Sequence, residues 1–314
     1  MADTVQTYLP GLQRTGPRLL AKGGLGRFLR RRSAVAFLMC APLIAIIIGL
    51  IAYPACYSVY LSMLNKSQTH FIGLGNFRFL LSREVFWMVA EQTAIFACTA
   101  VLFKALIGLV TAHLINNLPI KGQRKWRGML LVPWVIPLAL SSLSWWWLFD
   151  PTHSAINWII GQFGHGPIPW LSEPYWARFS VILVNVWYGA PFFLIMYLAA
   201  LKSVPEQLYE AAAIDGANAW QKFRHVTLPM MRNVIAITVL FSLIVTFANF
   251  DIVQIMTGGG PRNMTHVFAT YAFMLGIRSG DLPLGAATSL FMLPILAIAA
   301  VFILHGVRKR GREI

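Results

Sequence analysis

Residues 203–229 read SVPEQLYEAAAIDGANAWQKFRHVTLP and form a polar stretch between two long apolar segments. The spacing of Ser203 and Glu206 predicts a capping box at the start of a short helix. Gly216 predicts the end of that helix, because glycine readily adopts the left-handed conformation that closes helices. Asn218 then predicts the cap of a second short helix. We therefore expect a helical hairpin that lies in water and contacts another molecule.

The composition of the chain is that of a membrane protein. Hydrophobic residues make up 57% of the 314 residues and charged residues only 12%, whereas soluble domains carry about 25% charged residues. An ordinary core cannot use this much apolar surface. Because about 20 helical residues cross the hydrocarbon and backbone groups in lipid must be satisfied internally, the apolar stretches predict six spanning helices. They lie near residues 34–62, 87–115, 129–149, 178–201, 233–256 and 284–307.

Positive charge is concentrated in alternate loops. Most of the 26 Lys and Arg residues lie in residues 1–33, 116–128, 202–232 and 308–314. Since positive charge marks the cytoplasmic side of a membrane protein, both termini and the 203–229 stretch are predicted to face the cytoplasm. The basic segment 1–33 is expected to lie at anionic lipid, and 116–128 to be a short basic turn. This distribution favours membrane orientation over nucleic-acid binding as the reason for the net charge of +15.

Motifs of catalysis and metal binding are not found in the sequence. There is no Gly-x-x-x-x-Gly-Lys-Ser/Thr sequence, so we do not expect this chain to hydrolyse ATP. Gly-x-Ser-x-Gly and His-Glu-x-x-His are also missing. Cys40, Cys56 and Cys98 fall in apolar stretches without metal-binding spacing, and we expect them to be small buried residues. The sequence therefore predicts no catalytic residue, no metal site and no cofactor bound by this chain.

Two stripes of polar and aromatic residues mark the fourth and fifth apolar stretches. In each stripe, residues recur at spacings of four and three, which places them on one helix face. Amides and hydroxyls hydrogen-bond to sugar hydroxyls, and aromatic rings stack on sugar rings, so the stripes could line a sugar path. The alternative is helix–helix contact, since small and polar residues also hold helices together in lipid. The residues concerned are Asn185, Tyr188, Gly189, Phe192, Ser242, Thr246 and Asn249.

Lys104 and Asp251 are charged residues within apolar stretches, where charges are costly and often functional. We expect Lys104 and Asp251 each to form a structural ion pair with another helix. Asp251 could instead bind a substrate hydroxyl. A relay formed by Asp251, Lys104 and Glu91 would fit a different class of protein, an ion-coupled secondary carrier.

The sequence EAAAIDGA at residues 210–217, followed by Phe223 and Leu228-Pro229, resembles the coupling loop of binding-protein-dependent ABC importer permeases. The chain is most similar to the first membrane subunit of maltose-type and glycerol-phosphate-type carbohydrate importers. The resemblance implies an all-α, six-helix fold, the type I ABC importer transmembrane domain, over residues 34–310. In the family, the loop docks in a groove of the ATPase subunit. The residues that the resemblance assigns to this contact are Glu210, Ala211, Ala212, Asp215 and Gly216.

The resemblance also bears on the sugar path. In maltose-type members, sugar is held by residues at positions within the two stripes and on the third helix, where this chain has Trp134. Trp134, Phe192 and Thr246 differ from the residues of those members, so we expect a cargo other than maltose. The positions that agree in kind are Asn185, Gly189, Ser242 and Asn249.

The resemblance implies a multi-pass subunit of the bacterial inner membrane. Its expected partners are a second homologous permease, two ATPase subunits that bind ATP and Mg²⁺, and an extracytoplasmic solute-binding protein. The expected cargo is a sugar or sugar derivative, with a polyol, a glycerol phosphodiester or an acidic sugar as alternatives. A secondary carrier, or a membrane enzyme or scaffold without transport, would leave the EAAAIDGA loop unexplained.

Overall fold

The structure, a computed structural model, describes residues 32–152 and 154–310, and these residues are mainly α-helical. The predicted all-α fold class is confirmed. The predicted basic segment 1–33 lies outside the described residues except for its last two. Of the described residues, those up to Tyr57 and those from Ser58 onward belong to two different compact units.

The helices are numbered here in chain order. Their bounds are α1 (Arg32–Ile47), α2 (Tyr53–Ser62), α3 (Gly75–Leu81), α4 (Glu84–Asn116), α5 (Ile120–Leu130), α6 (Val132–Val135), α7 (Leu138–Leu148), α8 (Ala155–Gln162), α9 (Pro174–Lys202), α10 (Glu206–Ile214), α11 (Ala219–Lys222), α12 (Leu228–Phe247), α13 (Asp251–Met256), α14 (Phe268–Phe273), α15 (Leu282–Leu290) and α16 (Met292–Arg310). Wider π-helical turns occur at Ile48–Ala52, Phe223–Thr227 and Met274–Arg278.

Five of the helical stretches in the described residues are long and apolar enough to cross a membrane. Each is continuous or nearly so, and together they correspond to five of the six predicted spans. They are Met39–Ser62, Glu84–Asn116, Pro174–Lys202, Ala219–Met256 and Leu282–His305.

The third predicted span, 129–149, is divided into shorter helices. Helix α5 ends at Leu130, the short α6 follows, and α7 begins only at Leu138. Pro133 and Pro137 have no N–H to donate, and Ile136 adopts the extended conformation (φ −72°, ψ 134°) that is favoured before proline. The apolar composition of this stretch is therefore compatible with the membrane, but its prolines prevent one continuous helix.

The basic turn predicted at residues 116–128 is wrong over most of its length. Residues 120–130 form helix α5, in which Lys and Arg side chains alternate with apolar ones. The high charge of this segment obscured its helical spacing in the sequence. The chain therefore places a basic amphipathic helix between two membrane segments.

Helices α4 and α9 form the central packed pair of the second unit. An added Cβ at Gly108 of α4 would overlap the side chain of Phe193 of α9, so the two backbones approach closely there. Phe193 and Tyr197 are buried together with Met231 of α12. Helix α12 therefore joins the pair, and α9 and α12 carry most of the residues of the predicted path.

The loop between α7 and α9 is held by a network around Asn157. The Asn157 side-chain oxygen accepts hydrogen bonds from the Ile168 backbone N–H (3.1 Å) and from the Trp170 indole N–H (2.9 Å). Its amide nitrogen donates to the Ile168 carbonyl (3.0 Å). The Trp170 ring packs 5.2 Å from that of Phe149 at the end of α7. These described residues therefore fix the loop to the end of α7.

Candidate functional site

The 203–229 stretch forms two short helices, α10 and α11, joined by a tight turn. Gly216 has φ +76°, the left-handed conformation predicted for it. The Gly216 N–H bonds to the Ala213 carbonyl (3.1 Å), and the Ala217 N–H to the Ala212 carbonyl (2.9 Å). These two bonds define a Schellman motif. The predicted hairpin is confirmed, and its turn requires a residue that tolerates positive φ.

One of the two predicted caps is confirmed and the other is wrong. The Asn218 side chain accepts from the Gln221 N–H (2.9 Å), and the Gln221 side chain accepts from the Asn218 N–H (2.7 Å). Ser203, by contrast, donates its hydroxyl to the Ala200 carbonyl (2.7 Å). Because α9 extends through Lys202, Ser203 closes that helix and is not available to start α10. Pro205 precedes the first residue of α10 instead.

The hairpin is attached to two membrane helices by specific contacts. The hydroxyls of Tyr209 and Thr227 are hydrogen-bonded (2.9 Å), which ties α10 to the residue before α12. The Phe223 ring lies 5.6 Å from that of Trp220 and 5.9 Å from that of His113, near the end of α4. A displacement of the hairpin would therefore act directly on α4 and α12.

The residues predicted to contact an ATPase lie mostly on the open surface of the hairpin. Glu210, Ala211, Asp215 and Gly216 are exposed, and Ala212 is half-buried. Ile214, which is not among the residues predicted for this contact, is 87% exposed at the end of α10. A large apolar side chain in a polar loop could have indicated this exposed position from the sequence. The contact with an ATPase stays a prediction.

Two residues of the predicted path, Thr246 and Gly189, lie against Lys104. The Lys104 ammonium, buried within α4, donates to the Thr246 hydroxyl of α12 at 2.9 Å. An added Cβ at Gly189 of α9 would lie 2.8 Å from the Lys104 side chain, so the glycine makes room for it. Asn185, one turn away on α9, is buried, and its side-chain oxygen has no hydrogen-bond partner. Lys104 of α4 thus contacts α9 and α12, and α9 also carries a buried acceptor, Asn185, that is unused.

The ion pairs predicted for the two intramembrane charges are not found in the described part of the chain. Lys104 has a hydroxyl as its partner, because Thr246 is the polar residue that α12 presents to it. Asp251 is exposed in the first turn of α13, where a carboxylate is favoured by the helix dipole. Glu91 is also exposed, on α4.

The stripe on the fifth span is interrupted before its last member. Helix α12 ends at Phe247, and Asn249 lies in the break before α13. The Asn249 side-chain oxygen accepts from the Ile252 N–H at 3.3 Å. The spacing of four and three therefore does not continue a single helix face to Asn249. Ser242 and Thr246 remain on α12 and are both buried.

An aromatic cluster lies at the other end of the predicted path. The Trp134 ring of α6 is 5.8 Å from that of Phe192 on α9, which is 5.3 Å from that of Phe241 on α12. Trp134 and Phe241 are about half exposed, and Tyr188 is half-buried. Phe241 was not predicted, because an apolar residue in an apolar helix gives no indication of which neighbour it contacts.

The structure places the cysteines differently from the expectation of burial. Cys40, Cys56 and Cys98 are all exposed and reduced. They lie on apolar helices, where exposed small apolar side chains are compatible with a lipid environment. Within residues 32–152 and 154–310, no three His, Cys, Asp or Glu side chains lie close enough together to hold a metal ion.

A buried histidine lies in the loop that follows α13. The His266 ring packs so closely against Gly259 that a Cβ there would overlap it, and its Nδ1 is 3.0 Å from the Thr270 hydroxyl. Burial, assisted by the positive charge of Arg278, lowers the pKa of His266 to about 4. The neutral imidazole is therefore part of the folded loop.

The stability of this loop is expected to depend on pH. Because the pKa of His266 is lower in the folded than in the unfolded state, the contribution of this residue to the free energy of unfolding is fully present above about pH 6.5. It is lost progressively as the pH falls to about 4, by on the order of 3 kcal/mol. Thermal unfolding of the detergent-solubilised chain across this range should show a steeper acid loss than in His266→Gln. Parallel curves for the two proteins would contradict the assignment.

The comparisons with known proteins identify the class. Residues 104–309 match the family model described as "Binding-protein-dependent transport system inner membrane component". This range covers more than half of the chain and includes the hairpin as well as Lys104, Gly189 and Thr246. The chain belongs to this family of transport permeases, as the EAAAIDGA loop predicted.

Several similar curated proteins are named as permeases for sugars or sugar derivatives. One is the "Trehalose/maltose transport system permease protein MalF" of Thermococcus litoralis, 32% identical, with 89% of this chain and 96% of the relative covered. Another is the "Sulfoquinovosyl glycerol transport system permease protein SmoG" of Agrobacterium fabrum, 32% identical, with 86% and 89% covered. The resemblance to the carbohydrate branch is confirmed.

A solved structure has the same fold. The crystal structure of a bacterial ABC transporter involved in the import of alginate, an acidic polysaccharide, contains a chain that matches with a TM-score of 0.80. The match covers 91% of this chain and 98% of that chain at 24% sequence identity. This likeness supports the predicted transmembrane-domain fold and says nothing about cargo.

Proposed function

We propose that this chain is a permease subunit of an ATP-driven importer that moves a sugar or sugar derivative delivered by a solute-binding protein. The observation that carries the proposal is the exposed hairpin 203–229, which is fixed to α4 and α12. The surface of the hairpin is available to a partner. Its contacts reach α4 and α12, the helices that carry Lys104 and Thr246. The family and the sugar-specific relatives support the same function.

In the proposed assembly, this chain pairs with a second permease and two ATPase subunits in the bacterial inner membrane. Both termini and the hairpin would face the cytoplasm, as the distribution of Lys and Arg indicates. ATP and Mg²⁺ would be bound by the ATPase subunits. A loaded binding protein would dock on the outer side.

The proposed mechanism is alternating access. Closure of the ATPase dimer on ATP would move the hairpin, and the Tyr209–Thr227 bond would transmit the displacement to α12. The Phe223–His113 contact would transmit it to α4. Transport then requires that the two conformations differ in affinity for the cargo and that ATP binding shifts their populations.

Reconstitution in proteoliposomes tests this function. The full chain, with its second permease and ATPase, should take up sugar only when ATP and the loaded binding protein are both present. Uptake by this chain alone, driven by a proton or sodium gradient, would contradict the proposal. That result would support the secondary carrier with Lys104, Asp251 and Glu91 as its relay.

A second candidate cargo, an acidic sugar derivative, is favoured by Lys104. Its ammonium lies beside Thr246 and Gly189, both predicted path residues, and no acidic side chain neutralises it in the described part of the chain. A bound carboxylate, sulfonate or phosphate would supply the missing counter-charge. A charged hydrogen bond of this kind contributes about 1.5–3 kcal/mol.

Lys104→Met, which keeps most of the side-chain volume, should therefore reduce uptake of an anionic sugar by about tenfold or more. Competition between radiolabelled anionic and neutral sugars in the reconstituted importer provides the measurement. Thr246→Val is the matched control, since it removes the hydroxyl and keeps the cation. Equal losses of anionic and neutral uptake in Lys104→Met would assign Lys104 to helix–helix contact instead.

A further inference from the structure

A groove with an apolar floor and a basic rim lies between α5 and α9, outside the hairpin and the predicted path. Its volume is about 480 Å³. Leu131, Ile195 and Leu198 contribute to the floor, and the charged residues that line it are Arg124, Arg127 and Lys202. None of the residues that line this groove is acidic. Positive charge and apolar surface therefore meet in one recess.

Gln123 fixes the position of two of these three cations. The buried Gln123 amide nitrogen donates to the carbonyls of Asn116 (3.2 Å) and Leu118 (2.8 Å), which anchors it to the connection after α4. Its side-chain oxygen accepts from the Lys202 ammonium (2.9 Å). Its backbone carbonyl accepts from the Arg127 Nε (3.2 Å). The rim is therefore preorganised and retains free donors on Arg127 and Lys202.

The groove lies where two membrane helices end. Helix α4 ends at Asn116 and α9 at Lys202, and the Gln123–Lys202 bond holds these ends on the same side. The adjoining segments 116–128 and 202–232 are among those richest in Lys and Arg. Basic recesses between membrane helices on that side are suited to anionic lipid head groups.

We propose that this groove binds an anionic phospholipid. The head-group phosphate would accept hydrogen bonds from Arg124, Arg127 and Lys202, which are charge-assisted and therefore strong. The acyl chains would cover Leu131, Ile195 and Leu198. A soluble anion would leave this floor exposed to water, and an apolar peptide would leave three cations without a counter-charge. A lipid satisfies both parts of the groove.

The test uses the full chain in nanodiscs of phosphatidylcholine doped with phosphatidylglycerol. A photoreactive phosphatidylglycerol should label residues 124–131 and 195–202, and excess phosphatidylglycerol should compete better than phosphatidylcholine. Arg124→Gln/Arg127→Gln should weaken this binding by about tenfold or more, since it removes two charge-assisted contacts to the head-group phosphate. Circular dichroism of each variant checks that the helices are retained.

Lys121→Gln/Lys125→Gln is the matched control, because it removes two charges from exposed positions of the same helix outside the groove. It should change the labelling by less than about twofold, because neither side chain lines the groove and exposed charges are screened by solvent and salt. Equal losses of labelling in the two double variants would mean that the lipid is attracted to the basic surface in general, which would overturn the proposed site. Labelling without preference for phosphatidylglycerol, or labelling confined to other segments, would overturn it as well.

Discussion

Gly216→Pro is expected to abolish ATP-driven uptake while the chain still inserts in the membrane. Proline fixes φ near −65°, whereas Gly216 has φ +76°. Proline also lacks the N–H that bonds to the Ala213 carbonyl. The turn between α10 and α11 would therefore open, and the exposed face of α10 would lose its orientation. The effect stays local, because a Cβ at Gly216 meets no atom within 4 Å.

Gly216→Asn is the matched control at the same position. Asparagine keeps the N–H and tolerates the left-handed conformation better than other non-glycine residues. It should retain most of the binding-protein-stimulated ATP hydrolysis in proteoliposomes, while Gly216→Pro reduces it to the unstimulated level. Normal stimulation in Gly216→Pro, at equal expression, would show that the hairpin does not couple ATP hydrolysis to transport.

Gly108→Val is expected to prevent α4 and α9 from packing. A Cβ at Gly108 would overlap the Phe193 side chain and lie 3.1 Å from the Leu194 backbone nitrogen. Gly108 and the fully buried Ala112 also form the small-xxx-small pattern by which membrane helices approach closely. Overpacking typically costs about 1–3 kcal/mol, and contact with backbone atoms places this site at the upper end. Thermal unfolding of the solubilised chain should show the loss.

Gly161→Val in α8 provides the comparison, because no atom lies within 4 Å of a Cβ at that position. Its melting temperature should remain close to that of the unmodified protein. Similar melting temperatures for Gly108→Val and Gly161→Val would contradict the close approach of α4 to α9.

The sequence predicts those parts of the fold that depend on local properties. Apolar stretches of sufficient length identify the five helical spans, and the turn at Gly216 follows from the left-handed conformation that glycine permits. The cap at Asn218 likewise involves residues three apart. Ser203 shows the limit of such reasoning, since the same hydroxyl could cap the start of α10 or bond to the last turn of α9. The length of α9 decides between them.

Contacts between distant segments could not be predicted in this way. Lys104 and Thr246 are 142 positions apart, and the sequence indicated only that the lysine needed a partner. The pairing of Trp134, Phe192 and Phe241 depends on how three helices face one another. Pro133 and Pro137 indicate the break in the third predicted span, but the apolar composition of the segment equally fits one continuous span.

Coupling through the hairpin 203–229 is tested most directly by cross-linking. Ile214→Cys, at a position that is 87% exposed, would be introduced after Cys40, Cys56 and Cys98 are replaced by alanine. In the assembled importer it should cross-link to the ATPase subunit, and the yield should change when ATP is added. Phe163→Cys, 77% exposed after α8, should give no such product. Sugar uptake at the normal rate with no cross-link from Ile214→Cys to any ATPase would contradict the central role of the hairpin.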